Sequence, residues 1–526
     1  MSRTIRRGPL VGALAAVVAV GGMLLLGVIT EQPTIAETIA DGITRVTPIQ
    51  LIERMTATLG DGAKHLLFGS ILLGEVGLGA AAGALDRRLH LTGATRGLSL
   101  AGLVLAVGFV ALPALGLGVF GSTGQAGTVA TMASLAATAA VFALAYRVND
   151  ALLNPGGVFA VEEASSRRAF LRRALLTLGS VALGVGGIRW AAERLTPATG
   201  GSVSAEATLT NAALAGAGDL VEAIARGVPG LASEITPNER FYVVSKNVLR
   251  DPTVSEESWR LEITGLVDRP VALSYTELKA LPAASQYFTL QCISNEVGGE
   301  LIGNAQWRGV GLSSLLQEAG VKPNAADVVL HAADEYTDSI PLAKAMEPGA
   351  MVAFEMNGEP LPRAHGFPAR LLVPDIYGMK NVKWLTRIEV VEYDFRGYWQ
   401  TKGWDDGAIM HTTSRIDLPK NRSNLAAGEN FAGGVAVAGS RGIRQVEVST
   451  DGGGSWSFAT IKPALGPNTW VVWLHRWELP AGDAAERRIL VRATDGLGAV
   501  QSAELRESFP EGSSGYHAVT VRQASS

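Results

Sequence analysis

Thiol is nearly absent from this chain: among its 526 residues only Cys292 is a cysteine. That excludes an internal disulfide and a Cys-x-x-Cys-His haem attachment. Histidine is scarce as well, with seven in all, and only His65 and His90 precede residue 190. Both fall near the ends of apolar runs, so the facing pairs that a membrane b-type haem needs are missing, and no haem is expected in this chain. Charge of one sign is lacking too. The 45 basic and 49 acidic residues leave a net charge of −4, which offers no nucleic-acid footprint.

Apolar residues, in contrast, make up 47% of the chain, and the excess lies before about residue 190. Residues 9–29 form a run of roughly the ~20 residues needed to cross a bilayer. Further runs at 64–85, 98–120, 127–146 and 174–190 bring the expected spans to about five. Arg3, Arg6 and Arg7 precede the first run, and Arg87, Arg88 and Arg96 separate the second from the third. Arg147, Arg167, Arg168, Arg172 and Arg173 separate the fourth from the fifth. The basic segments fall on alternate loops, which predicts a multi-pass plasma-membrane protein with a cytoplasmic N-terminus and an extracytoplasmic C-terminal part. Ser166-Arg-Arg-Ala-Phe-Leu-Arg172 resembles a twin-arginine export signal, whose cargo is folded around its cofactor before export. Val203-Ser-Ala205 is a weak cleavage site, and a retained anchor is expected. Glu75, in mid-span, is an intramembrane carboxylate, either packed in protonated form against a neighbour or used for proton or quinone chemistry.

Residues 1–195 are thus read as a membrane domain and the Ala/Gly-rich 196–230 as a linker. From 231 to 425, short β-prone runs (241–244, 259–264, 328–331, 370–373, 384–391) alternate with helical stretches at 275–280 and 311–320, an α+β pattern. From 426 to 526 the pattern is all β, with runs at 434–438, 443–449, 470–477 and 488–494 between glycine turns. This predicts a sandwich of immunoglobulin-like type without its disulfide.

Cys292 lies in Phe288-Thr-Leu-Gln-Cys-Ile-Ser-Asn-Glu-Val-Gly-Gly299. A lone buried cysteine is usually a small hydrophobe. Here a strand-like run delivers it to a glycine-ended turn, where a thiolate can meet a ligand. Downstream, His365-Gly-Phe-Pro-Ala-Arg370 and Tyr377-Gly-Met-Lys-Asn-Val-Lys-Trp-Leu385 gather His365, Arg370, Lys380 and Lys383 among turns. Each alone reads as a surface charge. Together with the thiol they suit a phosphate-bearing, sulfur-held metal cofactor.

These elements resemble the sulfite oxidase family of molybdenum enzymes. The Cys-x-x-Asn, His-Gly-Phe-Pro-x-Arg and Val-Lys-Trp-Leu elements stand in the family's order, over about residues 231–520. The resemblance implies a molybdenum–molybdopterin cofactor with Cys292 as the metal's protein ligand. It implies cofactor contacts from Tyr242, Lys246, Asn247, Ser294, His365, Arg370, Lys380, Asn381 and Lys383, with Ser294 and Asn295 near the metal. Asn295, Trp307, Asp334 and Tyr336 are the expected pocket and substrate residues. The C-terminal part resembles the family's dimerisation domain, so a homodimer is expected. The pattern departs from the family where arginines should follow Cys-x-x-Asn: Glu296-Val-Gly-Gly299 stands there, and a carboxylate repels a dianion.

The expected fold is therefore multi-domain: a transmembrane helical bundle, an α+β sulfite-oxidase-type molybdopterin domain, and an immunoglobulin-like sandwich. The expected function is a membrane-anchored, exterior-facing oxidoreductase. It would transfer an oxygen atom and two electrons to or from a sulfur compound or an S- or N-oxide. A separate cytochrome or quinone partner would carry the electrons. The alternative is a non-catalytic cell-surface binding or scaffold protein that retains the cofactor fold. A transporter using Glu75 is disfavoured by the near absence of other intramembrane polar groups.

Overall fold

The computed structural model describes residues 3–30, 32–48, 51–52, 55, 62–89, 106–122, 127–153, 219–247, 251–482 and 486–524. The chain divides into two compact units, Met1–Pro197 with Ser245–Asp251, and Ala198–Val244 with Pro252–Ser526.

The first unit is helical. Helices α1 (Arg3–Thr30), α3 (Gly62–Leu89) and α4 (Gly127–Leu153) are each long and apolar enough to cross a membrane. Glycines let α1 and α3 touch backbone to backbone. A Cβ on Gly12 would stand 2.0 Å from the Gly79 carbonyl, and one on Gly83 would stand 2.1 Å from that of Gly8. The two Gly-xxx-Gly pairs form a small-residue helix contact. At one end, Tyr146 Oη donates to Asp86 (2.8 Å), and Arg87 pairs with Asp150. Between α1 and α3 lies an unforeseen amphipathic helix, α2 (Ile35–Val46). A capping box starts it: Thr34 Oγ1 accepts from Glu37 N and the Glu37 carboxylate accepts from Thr34 N.

The expected span at 98–120 is corrected in its described part. Helical turns run through Val107–Ala111 and Leu112–Ala114, after which Gly116 and Gly118 adopt φ of +73° and +70° and turn the chain. The run at 174–190 and the arginine motif at 166–172 lie outside the described residues.

The second unit is β-rich. Its first part carries β1 (Arg260–Gly265), β2 (Val271–Ser274), β3 (Ala284–Gln291), β4 (Ile302–Gly311), β5 (Asp327–Ala332), β6 (Thr337–Pro341), β7 (Met351–Met356), β8 (Glu359–Pro360), β9 (Arg370–Leu372) and β10 (Leu385–Val391). One sheet runs β2-β1-β10-β5-β6, with β1 and β10 parallel. The other runs β3-β4-β7-β8, with β9 on β7. Helix α5 (Tyr275–Ala280) starts on a Ser274/Glu277 capping box, and α6 (Leu312–Ala319) ends at Gly320 in the left-handed region. Both helices pack on the first sheet's core, through Tyr275, Leu278, Leu312, Leu315 and Leu316. The alternating run 241–244 is not a strand. It follows a 3-10 turn (Asn238–Arg240), and Phe241 turns inward over Gly303, where a Cβ would stand 2.8 Å from its ring.

The second part holds two facing sheets. β11 (Thr413–Leu418), β13 (Gly428–Val437), β17 (Val471–Leu479) and β16 (Thr460–Ile461) form one. β12 (Ser423–Leu425), β19 (His517–Gln523), β18 (Arg487–Asp495), β14 (Ile443–Ser449) and β15 (Ser457–Phe458) form the other. Ile416, Ala432, Ala436 and Trp473 from the first meet Val446, Val448, Ile489, Val491 and Val519 from the second in one core. The four expected runs are β13, β14, β17 and β18; β11, β12, β15, β16 and β19 were not foreseen.

Gly434 lies so close under β11 that a Cβ would stand 1.8 Å from the Arg415 carbonyl. Gly434→Ala must therefore push β11 off β13. The expected loss is about 1–3 kcal/mol, seen as a melting point several degrees below the parent's; an unchanged melting point would contradict the packing.

Candidate active site

Cys292 follows the last residue of β3 and is 8% exposed. Its N–H donates to Leu301 O (2.9 Å), closing the 292–301 loop at the root of β4. Inside the loop, Asn295 N donates to Cys292 O (3.1 Å) and Gly299 N to Glu296 O (2.8 Å). Asn295 Oδ1 accepts from Leu301 N (2.9 Å), so this side chain braces the loop. Ser294 Oγ lies 3.0 Å from the sulfur.

Around the thiol the structure brings together several of the expected residues. Gly378 has no side chain, and a Cβ there would stand 2.7 Å from Tyr242 Oη and 3.3 Å from Gln291 O. Tyr242 therefore reaches the backbone beside the thiol only because residue 378 is glycine. Burial, and then the Cys292 charge, hold its phenol well above the ordinary range, with Arg370 acting in the opposite direction. Burial likewise pushes Tyr377 up to about 12, with Cys292 adding to the shift.

Arg370, on β9, is the most unusual side chain. It is 5% exposed, and among the described residues it has no carboxylate partner. Nη1 donates to His365 O (3.1 Å) and Nη2 to Asn381 O (3.0 Å), and the guanidinium lies 5.1 Å from the Trp307 ring centre. Its Nε is buried without a partner. Burial lowers its pKa to about 10, so the charge remains at neutral pH. His365 packs edge-on to Phe241, and its Nε2 lies 2.9 Å from Asn238 O. Gly366, at φ +111°, brings Lys383 beside Arg370: a Cβ there would stand 3.1 Å from Lys383 Cβ and 3.2 Å from Arg370 Cβ. Lys383 Nζ donates to Ala364 O (3.0 Å) over the Trp384 ring.

Other expected residues serve as scaffold. Lys380 is no loose cation, because its Nζ donates to Asp338 (3.1 Å), Ser339 O (2.7 Å) and Asp406 (3.0 Å). Burial opposes its charge, but Asp338 and Asp406 outweigh that and raise its pKa. Asn381 accepts from Val373 N (2.7 Å) and donates to Tyr377 O (3.0 Å), bracketing the 373–381 turn. Trp307 was expected as a pocket wall, yet it has no exposed surface and donates to Phe288 O; it is the floor beneath Arg370. Tyr336 Oη lies 2.7 Å from the Asp338 carboxylate and 2.9 Å from Met379 O, which share its single proton, and Asp334 accepts from Tyr336 N (3.1 Å). These two belong to the Lys380 network, which reaches the thiol region through the Gly378–Lys380 turn. Lys246 and Asn247 fall in the first compact unit, where Lys64 Nζ donates to the carbonyls of Ser245 and Asn247 (2.9 Å each).

Asp338, Asp406, Arg415, Ser513 and His517 were not anticipated. The site groups they hold, Lys380 for the two aspartates and the thiol loop for the other three, are distant in sequence, and no local motif marks them.

Comparison with known proteins fits this geometry. Residues 248–399 match the oxidoreductase molybdopterin binding domain, and residues 408–523 the Mo-co oxidoreductase dimerisation domain. The mitochondrial sulfite oxidase of Drosophila melanogaster is 34% identical over 310 residues, covering 49% of this chain and 53% of that protein. The sulfite oxidase of Arabidopsis thaliana is 30% identical over 276 residues, covering 43% of this chain and 70% of that protein. The chain belongs to the sulfite oxidase family of molybdopterin oxidoreductases. It spans only about half the length of the animal family members it matches. Among solved structures, the sulfane dehydrogenase SoxCD of Paracoccus pantotrophus aligns at 25% identity with a TM-score of 0.49, over 57% of this chain and 86% of that one.

One family domain meets the other at the thiol loop, and His517 stands at that junction. Its ring fills the space a Cβ on Gly298 would need, at 2.3 Å, and its Nδ1 accepts from Ile416 N (2.9 Å). Burial, then the Arg415 charge, lower its pKa from 6.5 to about 4. The unfolded chain therefore binds a proton that the folded chain refuses, and stability falls as pH drops from about 6.5 toward 4, by at most about 3 kcal/mol. Chemical denaturation at pH 7 and at pH 4.5 should show this loss in the parent, and a smaller one in His517→Gln. Equal losses in both would mean that the ring is not held neutral.

Proposed function

We propose that this chain is a membrane-anchored, exterior-facing molybdopterin-dependent oxidoreductase. It transfers one oxygen atom and two electrons to or from a sulfur compound or an S- or N-oxide. The observation that carries the proposal is Arg370: a buried guanidinium that, among the described residues, has no acidic partner and an orphaned Nε, in the cluster around Tyr242 and the lone thiol. An uncompensated buried charge is costly, and an anion supplied from outside the chain offsets that cost.

The residues present fit the cofactor. Arg370, His365 and Lys383 would hold the pterin phosphate, the arginine by its planar fork and the lysine as a point charge. Cys292 would bind the metal as thiolate, the form that soft-ligand metals take, with the Ser294 hydroxyl as a hydrogen-bond donor to it. Tyr242 and Tyr377 remain protonated at neutral pH and so act as neutral donors beside the sulfur. Lys380, fixed by two aspartates, secures the 378–380 turn rather than the phosphate. When bound, an oxo-molybdenum dithiolene centre supplies the two-electron oxygen-transfer chemistry.

Glu296 favours a substrate that is not a dianion. It is exposed on the thiol loop, where Ser508 Oγ donates to it (3.0 Å). The alternate distribution of arginines among the apolar runs supports an extracytoplasmic catalytic unit. A separate cytochrome or quinone would exchange its electrons, the 408–523 domain would join two copies, and its sandwich is of immunoglobulin-like type.

Protein made in a host that synthesises molybdopterin should carry about one molybdenum per chain, as expected for a single thiolate-ligated site. Cys292→Ser, a near-isosteric change, should keep the fold while abolishing sulfur-to-metal charge-transfer absorption and turnover. Full activity in that variant would refute the ligand role. Arg370→Ala should lose pterin and molybdenum on gel filtration, and unchanged cofactor content would remove Arg370 from the phosphate site. A screen of sulfur compounds, S-oxides and N-oxides with artificial electron donors and acceptors identifies the substrate and the direction.

A further inference from the structure

The loop that carries Cys292 is closed at its two ends by its own domain. Its outer side is covered by the C-terminal sandwich, from three separate segments. From β11, Arg415 Nη1 donates to Gly299 O (3.0 Å) while its Nε is fixed by Asp417 (2.7 Å). Asp417 in turn accepts from Ala232 N (3.1 Å). From the turn before β19, buried Ser513 donates through Oγ to Asn295 O (2.7 Å). At the start of β19, the His517 ring occupies the space over Gly298. Just before the loop, Thr413 Oγ1 donates to Gln291 Oε1 (3.2 Å). A small cavity lies between the two surfaces, lined by Asn295, Glu296 and Gly299 on one side and by Arg415, Ala436 and Ser513 on the other.

We infer that the sandwich is a working part of the thiol site, in which Arg415 and Ser513 are positioning residues that fix the Cys292 loop. Each bonds a backbone carbonyl of the loop, at Gly299 and at Asn295. Asn295 also binds back to Cys292 O, so the restraint passes to the thiol in one step. A charged donor held by its own carboxylate is a stiff clamp, because it lacks rotational freedom to lose on bonding. The inference assigns this domain a role within the chain, separate from joining two copies, and it does not rest on the metal.

The chain's single cysteine makes the test direct, since thiol labelling reports on this loop alone. Cofactor-free protein is labelled with a disulfide reagent under native conditions, with and without low urea. Arg415→Ala and Ser513→Ala are each expected to speed labelling about tenfold, the size of one lost net hydrogen bond, with no dependence on urea. Arg415→Lys, which restores a single donor, should fall between the parent and Arg415→Ala. Two controls separate local release from general instability. Val491→Ala, in the sandwich core, should lower the melting point without this urea-independent rise. Arg492→Ala, which pairs with Glu447 within the sheet that does not carry Arg415, should label at the parent's rate. Should Arg415→Ala fail to fold, Ser513→Ala carries the test. Parental labelling in the folded variants, or a rise that grows with urea as global unfolding does, would overturn the inference.

Discussion

A positive charge buried, among the described residues, without a negative one governs the catalytic half of this protein. Arg370 lies over the face of Trp307, where it donates to the carbonyls of His365 and Asn381, and among the described residues its Nε has no partner. Most of the surrounding architecture serves to hold that guanidinium in place. Trp307 is buried to form its floor, Gly366 adopts a left-handed backbone so that Lys383 can come near, and Asn381 brackets the turn that offers one of the carbonyls. A site so arranged favours an anion.

Around this centre the protein separates two tasks that look alike in sequence. Lys380 and Lys383 are three residues apart, both basic and both in turns, yet one is locked between Asp338 and Asp406 and the other lies over an aromatic ring. The first gives rigidity to the turn whose glycine admits Tyr242. The second has its backbone beside Arg370, while its ammonium donates to Ala364 O over the Trp384 ring. Likewise, Asn295 and Ser294 are neighbours, but Asn295 braces the loop and Ser294 faces the sulfur. Scaffold and chemistry alternate residue by residue, because each strand end must both terminate and present a group.

The helical unit follows a different logic. Close approach of its apolar helices depends on small residues, and the Gly8/Gly12 and Gly79/Gly83 pairs supply it. Polar groups are gathered at a helix end, where Asp86, Arg87, Tyr146 and Asp150 pair with one another. Three long apolar helices are in place, and the stretch around Gly116 and Gly118 turns where composition alone suggested a continuous span.

Much was legible in the chain as written. Period-two runs located β1, β5, β9, β10 and the main sandwich strands, and glycine turns marked their ends, because burial alternates along a strand. The lone cysteine at the end of β3 and the motif residues His365 and Arg370 pointed to the cofactor class, since their chemistry is local to each side chain. What remained hidden depends on partners distant in sequence. That Phe241 is a wedge, that Trp307 is a floor, that Lys380 is neutralised by Asp338 and Asp406, and that Arg415 and Ser513 hold the thiol loop were all decided by packing. Sequence fixes which groups can donate, accept or bind metal; only tertiary structure decides which of them already have a partner, because that depends on which distant surfaces the fold brings within about 3 Å of one another.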